Sequence, residues 1–302
     1  MPDAIERNPW IAYAKLVALP FCWGSTMIAG RVVAAQIPTL TAGAIRLIIA
    51  SILLLVLLRR ESPFPKLSWS QFRTLAVMGI CGVFIFNFFF FLALQKIPGS
   101  KGALIVALIP VLTALAVSIV LRERLGLGRW VGICLAFLGV TIVVTKGDWQ
   151  QAWHYLGNIM NSGEGLMLIA AIGWVVYTVL SRFALRGLSP LAASTYAAVV
   201  GTICLCLGAL SEFQQWPSMT WSTGAVTGLV YVAVMGTVIP YIWFVQGVQR
   251  FGPTRTAVYI NLTPVFGVSL GFLVLGEPIH LSMIVGGLIV IAGVMLTNLS
   301  KT

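Results

Sequence analysis

The chain is a succession of long apolar runs broken by short polar connections. A membrane-spanning helix needs about 20 mostly apolar residues. On that template ten runs stand out: 11–34, 39–58, 72–94, 98–121, 127–145, 164–185, 190–210, 221–246, 254–275 and 281–299. Pro38, Ser62-Pro63, Pro98-Gly99, Ser189-Pro190 and Gly252-Pro253 punctuate the connections, as turn chemistry requires. The longest connection, 146–163 (KGDWQQAWHYLGNIMNSG), is amphipathic and carries Trp, which predicts a segment lying at the lipid headgroups.

Composition turns the runs into spans. The 302 residues are 59% hydrophobic and 9% charged, with a mean hydropathy of +0.98. Soluble domains carry about 25% charged residues, so the chain lacks a polar coat and reads as an all-α integral membrane protein. The opening MPDAIERNPW has no basic n-region, and the run after it has no A-x-A cleavage pattern. It predicts a retained first span and no cleaved signal.

Net charge is +11. The cations sit in short loops and are not interleaved with aromatics in a polar context, so nucleic acid is not an expected partner. With the N-terminus in the cytoplasm, fourteen of the nineteen Lys and Arg fall on the inner side. Four (Arg31, Lys96, Lys101, Lys146) fall outside, and Arg46 lies within the second run. This bias predicts cytoplasmic termini and a bacterial-type inner membrane. The cysteines (Cys22, Cys81, Cys134, Cys204, Cys206) all lie in apolar runs with no C-x-x-C, and are expected as buried small hydrophobes. No metal or cofactor is expected, and there is no H-E-x-x-H, G-x-S-x-G or Walker A pattern of an enzyme.

Sliding the chain by 154 residues aligns Gln95 with Gln249, Ser100-Lys101 with Thr254-Arg255, and Pro110 with Pro264. The same register aligns Glu123 with Glu277, Gly132 with Gly286 and Gly139 with Gly293. A weaker echo at 151 pairs Trp23 with Trp174 and Arg31 with Arg182. Two halves of five helices follow, 1–146 and 164–302, joined by a periplasmic linker at 147–163. Because five is odd, the second half enters the membrane from the other side. Such inverted repeats frame a midplane site in many secondary transporters.

Trp23-Gly24-Ser25, the in-helix Arg46 of AIRLIIA, and the segments ending LRERL and LGEPI resemble the drug/metabolite transporter superfamily. The EamA-type ten-helix exporters are the specific likeness, over nearly the whole chain. The resemblance implies a basket of ten helices around a central cavity. Helices 1–4 and 6–9 would line it, with helices 5 and 10 packed outside. It also implies export of amino acids, other metabolites or drugs.

Glu123 and Glu277 admit two roles. Each is either a proton-coupling carboxylate, or a corner residue that favours the N-terminal dipole of the next helix, with Pro278 fixing its start. Every other acid and both His map to loops or helix ends. With no carboxylate at the midplane, facilitated transport or exchange is expected. Arg46 must face the bundle and have partners. It either receives a substrate carboxylate by a bidentate contact or bonds helix-end carbonyls. Pro20, Pro110, Pro240 and Pro264 are candidate hinges, alternating gates or static bends.

The halves differ most where ALIVALIPV becomes AVYINLTPV: Ile105 is matched by Tyr259, Ala107 by Asn261 and Ile109 by Thr263. Tyr259 and Thr263 share a face, with Asn261 on the other side. These three, with Trp23, Arg46, Asn87, Trp174, Tyr177, Tyr241 and Trp243, are the candidate substrate contacts. Trp10, Trp69, Trp130 and Trp221 are expected in interfacial belts. Gly267-x-x-x-Gly271 predicts close helix approach within the chain or in a weak homodimer. Together these features predict a transporter exporting amino acids or similar small metabolites by alternating access. The alternatives are a proton-coupled drug exporter and a membrane-embedded enzyme.

Overall fold

The computed structural model describes residues 9–61, 64–121, 126–146, 162–184, 187–244, 259 and 262–299. Within them every element is helical. The helices are α1 Pro9–Ala34, α2 Thr39–Glu61, α3 Trp69–Lys96, α4 Gly99–Leu121, α5 Leu127–Thr145, α6 Gly163–Ala184, α7 Pro190–Ala209, α8 Thr223–Phe244, α9 Thr263–Leu275 and α10 Leu281–Leu299. Eight, α1 to α8, are long and apolar enough to cross a membrane, and α9 and α10 are further apolar helices. Glu123, Asn261, His154 and 147–161 of the linker lie outside the described residues.

Local chemistry starts these helices where polar residues interrupt the apolar runs. Ser68 and Gln71 form a reciprocal capping box at α3. Ser189 caps α7 with Pro190 at its first position, and Ser222 caps α8. A 3₁₀ segment, Leu210–Ser218, continues α7; the sequence pattern had not suggested it.

The principal pairings are α1 with α8 and α9, α6 with α3 and α4, α2 with α8, α7 with α3, α2 with α7, α4 with α9, and α5 with α10. Exchanging each of α1–α5 with its counterpart among α6–α10 leaves this set unchanged, whereas the lesser contacts of α1 with α3 and α4 and of α2 with α3 have no comparable counterpart among the described residues. On α5 and α10, Gly132 meets the carbonyl of Gly293 and Gly139 meets that of Gly286. Ser51 of α2 bonds Thr202 of α7 at 2.8 Å. Trp10, Trp69, Trp130 and Trp221 are all exposed. Of the cysteines, Cys22 is buried but Cys134 is exposed on α5, so core burial does not describe all five.

Two helices are not regular. A π-helical segment interrupts α3 at Gly79–Ile85, and a shorter one interrupts α8 at Val234–Val238, inside the stretch that the 154-residue register matches to the first. In α8 it precedes Pro240, whose missing N–H needs such a local adjustment. Pro110 does not bend a continuous helix: α4 stops at Val106, turns through Ala107 and Leu108, and resumes at Ile109. There Leu108 N–H bonds Ile105 O at 3.0 Å, three residues back. The same tight bond joins Leu262 N–H to Tyr259 O at 3.0 Å just before Thr263 and Pro264. Each proline thus sits in the first turn of a restarted helix, where its lost donor matters least. Pro20 is buried within an unbroken α1.

Candidate functional site

Arg46 lies seven residues beyond Thr39, about 10 Å along α2. It is 7% exposed and turned into the bundle. Its Nη1 donates to Asn87 Oδ1 of α3 at 2.6 Å, and its Nη2 to Thr237 Oγ1 of α8 at 3.3 Å. Asn87 Nδ2 donates to Val83 O at 2.7 Å, which aims the amide oxygen at the guanidinium. The Phe90 ring lies 5.8 Å from the guanidinium carbon. Gly236, in the π segment of α8, makes room: a Cβ there would stand 3.1 Å from Nη2. The partners are neutral side chains on other spans, not the helix-end carbonyls expected of a structural role, and Nε has none among the described residues.

An aromatic wall continues from Phe90. Phe86 stacks on it at 5.6 Å and meets Trp174 of α6 at 5.3 Å. Trp174 stacks on Tyr177 at 5.1 Å, and Tyr241 of α8 closes the group at 6.4 Å from Trp174. The Tyr241 hydroxyl donates to that of Tyr177 at 2.6 Å, which donates to Ser194 at 3.2 Å. Their polar ends are thereby satisfied among themselves, and the rings present apolar faces.

Five of the residues singled out in the sequence thus come together: Arg46, Asn87, Trp174, Tyr177 and Tyr241. Trp23 packs instead on Phe244 at 6.3 Å. Trp243 is half-buried two residues from Tyr241, on the other side of α8. Thr263 and Pro264 are buried on the seam between α1 and α9, where a Cβ on Gly24 would stand 2.8 Å from Thr263 O. Thr263 Oγ1 has no partner there, and Tyr259 is half-buried one turn earlier. Phe86, Phe90 and Thr237 were missed. Phe86 and Phe90 flank Asn87 at helical spacing within FIFNFFF, a signal lost in a run of similar residues. Thr237 carried no signal at all.

Glu277 has a different corner role from the one expected. Gly276 takes the left-handed conformation (φ 63°), and Glu277 N–H bonds Gly271 O at 3.1 Å, reversing the chain at the end of α9. The carboxylate then caps α4, not α10. It accepts from Gly99 N–H at 2.9 Å, Ser100 N–H at 3.0 Å and Ser100 Oγ, and it pairs with Arg31 Nε at 3.5 Å. Gly267 and Gly271 of α9 lie against Ala103 and Ser100 of α4, so the G-x-x-x-G pair is packing within the chain. Glu212, on the 3₁₀ segment, caps α2 through Leu40 N–H, Thr41 N–H and Thr41 Oγ1. Lys101 pairs with Glu164, and Ser222 bonds Gln36. All these ties lie on the face predicted to be outer.

A multi-pass helical bundle with a buried cation, held by neutral side chains among the described residues, beside an aromatic cluster suits a small-molecule membrane transporter, and the comparisons agree. The chain belongs to the EamA-like transporter family, which it matches over residues 10–145 and 161–299. It is 29% identical over 288 residues to the uncharacterized transporter YyaM of Bacillus subtilis (strain 168), covering 94% of this chain and 92% of that one. It is 27% identical to YetK of the same organism, covering 96% and 87%. A chloroplast WAT1-related protein of Arabidopsis thaliana is 24% identical, covering 97% and 70%. A solved crystal structure with 20% identity superposes with a TM-score of 0.67, covering 95% of this chain and 98% of that one, and shares the fold.

Proposed function

We propose that this chain is a secondary transporter that exports amino acids or similar small metabolites by alternating access, as a facilitator or exchanger. The observation that carries the reading is Arg46: a buried guanidinium held by neutral partners on α3 and α8, its Nε without a partner among the described residues. Buried cations in membrane bundles mark substrate paths by default, and Trp174, Tyr177 and Tyr241 supply an apolar wall beside it.

Alternating access is supported by features repeated in the two halves. The exchange-invariant principal helix pairings, the π segments in matched stretches of the 154-residue register and the matched breaks before Pro110 and Pro264 are what an inverted repeat produces. The two family matches fall one on each half. The ties through Glu277, Glu212 and Lys101 fit a form closed at the outer face. Exchange without a dedicated proton site is favoured because Glu164, Glu212 and Glu277 are each engaged at helix ends. Inner-membrane location, cytoplasmic termini and a monomer or weak homodimer complete the reading.

Uptake of labelled amino acids into proteoliposomes, with and without a pH gradient, tests it. Saturable uptake independent of the gradient is the expected result. Strict gradient dependence would replace exchange by proton coupling, and no movement of any amino acid would remove that substrate class.

A further inference from the structure

We infer that the Arg46 site selects a monocarboxylate anion with a flat apolar body over a zwitterionic amino acid. The inference rests on the transporter reading above and, among the small metabolites that reading allows, places such anions ahead of amino acids.

Charge balance is the first step. Arg46 is more than nine-tenths buried, and its two hydrogen-bond acceptors, Asn87 and Thr237, are neutral. The described carboxylates are placed elsewhere. Glu61 is exposed fifteen residues further along α2, about 22 Å away. Glu164, Glu212 and Glu277 hold helix ends on the predicted outer face. A buried ion without a partner is a large penalty, and a bound counterion removes it. A carboxylate supplies that charge together with acceptors for the guanidinium fork, including the unpartnered Nε.

A zwitterion does not. Its carboxylate answers Arg46, but its ammonium restores the net positive charge a few ångströms away and needs acceptors of its own. Asn87 Oδ1 and Thr237 Oγ1 already accept from the guanidinium, and the other neighbours are rings: Phe90 faces Arg46, and Phe86 stacks on Phe90. An ammonium there would compete with the guanidinium for the same ring faces and be repelled by it. The Tyr177 and Tyr241 hydroxyls are bonded to each other and to Ser194.

The shape of the body follows from the same neighbours. From Phe90 through Phe86 to Trp174, Tyr177 and Tyr241 the rings run in unbroken contact, with Phe90 and Tyr177 buried. Such a wall is complementary to a planar apolar group, with the polar end fixed at one pole.

The test compares three probes of similar size on the purified full-length protein in detergent: phenylacetate, phenylacetamide and phenylalanine. Binding is read from thermal stabilisation over a concentration series. Phenylacetate is expected to bind roughly tenfold or more tightly than phenylacetamide, the difference between a charged and a neutral acceptor, with phenylalanine also weaker. Arg46→Gln should abolish the gap between phenylacetate and phenylacetamide. A guanidinium that only braces α2, α3 and α8 would give no gap in the unaltered protein, so the comparison decides even where the variant is unstable. Equal or tighter binding of phenylalanine, equal binding of acid and amide, or a gap that survives Arg46→Gln overturns the inference. Counterflow of phenylalanine in proteoliposomes, without phenylacetate binding, would overturn it and leave the transporter reading standing. Failure of every solute to move would overturn the transporter reading itself.

Discussion

A Cβ placed on Gly139 would stand 2.5 Å from the carbonyl oxygen of Gly286, and one placed on Gly286 would stand 2.5 Å from that of Gly139. The second contact of this seam, Gly132 with Gly293, is also reciprocal, at 2.6 Å each way. In the 154-residue register Gly132 matches Gly286 and Gly139 matches Gly293. One contact is therefore the other with the halves exchanged. α5 and α10 approach backbone to backbone because four glycines remove the side chains between them.

Gly139→Leu should consequently force α5 from α10 and lower stability by roughly 1–3 kcal/mol or more. Gly286→Leu should do the same to a similar extent. Gly224→Ala, whose added Cβ meets nothing closer than 3.5 Å, is the control. Thermal melts in detergent check all three, and a large asymmetry between the first two would contradict the exchange relation.

Arg46→Lys keeps the charge but loses the fork that reaches Asn87 and Thr237 together. Transport per folded molecule should fall about tenfold, equivalent to one hydrogen bond to a charged group. Asn87→Leu leaves Arg46 Nη1 without its acceptor and should lower stability by about 1–3 kcal/mol. Proteoliposome flux normalised to folded protein, with melts in parallel, separates the two effects.

Glu277→Gln weakens the cap on α4 and removes the partner of Arg31. A loss of about 0.5–2 kcal/mol is expected, with gradient-driven and exchange fluxes falling together. Were Glu277 the coupling group, gradient-driven flux alone would vanish while exchange persisted.

Ile105 and Tyr259 occupy matched positions but differ in burial. Ile105 is 2% exposed in the core formed with Phe91, Leu94 and Met167, whereas Tyr259 is half-buried. Ile105→Ala should lower stability by about 2–5 kcal/mol with little change in flux per folded molecule. Tyr259→Ala should reduce flux with a smaller effect on stability. Equal reductions in flux would remove the argument from the difference between the halves.

Much of the architecture was legible because spanning helices are written in single-residue hydropathy: about 20 apolar residues in a row allow few alternatives. Arg46 was legible for the same reason, as a lone charge in such a run. The glycine and proline matches were legible because they recur in a single 154-residue register. The expected bends at Pro110 and Pro264 became breaks, since hydropathy does not distinguish a kinked helix from an interrupted one. Both π segments escaped notice, because an extra residue in a turn leaves the apolar pattern intact.

The sequence by itself determined the membrane class and, where the residues are described, most run boundaries to within a few residues. Only the tertiary structure decided which distant residues meet. Glu277 reads in sequence as a cap for the helix that follows it. Gly276 turns the chain back instead, so the carboxylate satisfies Gly99 and Ser100, 178 and 177 residues away. Arg46 likewise finds Asn87 and Thr237 because α2, α3 and α8 converge. Hydropathy is a property of each residue, but a hydrogen bond between spans depends on the rotation and depth of both helices, which packing alone sets.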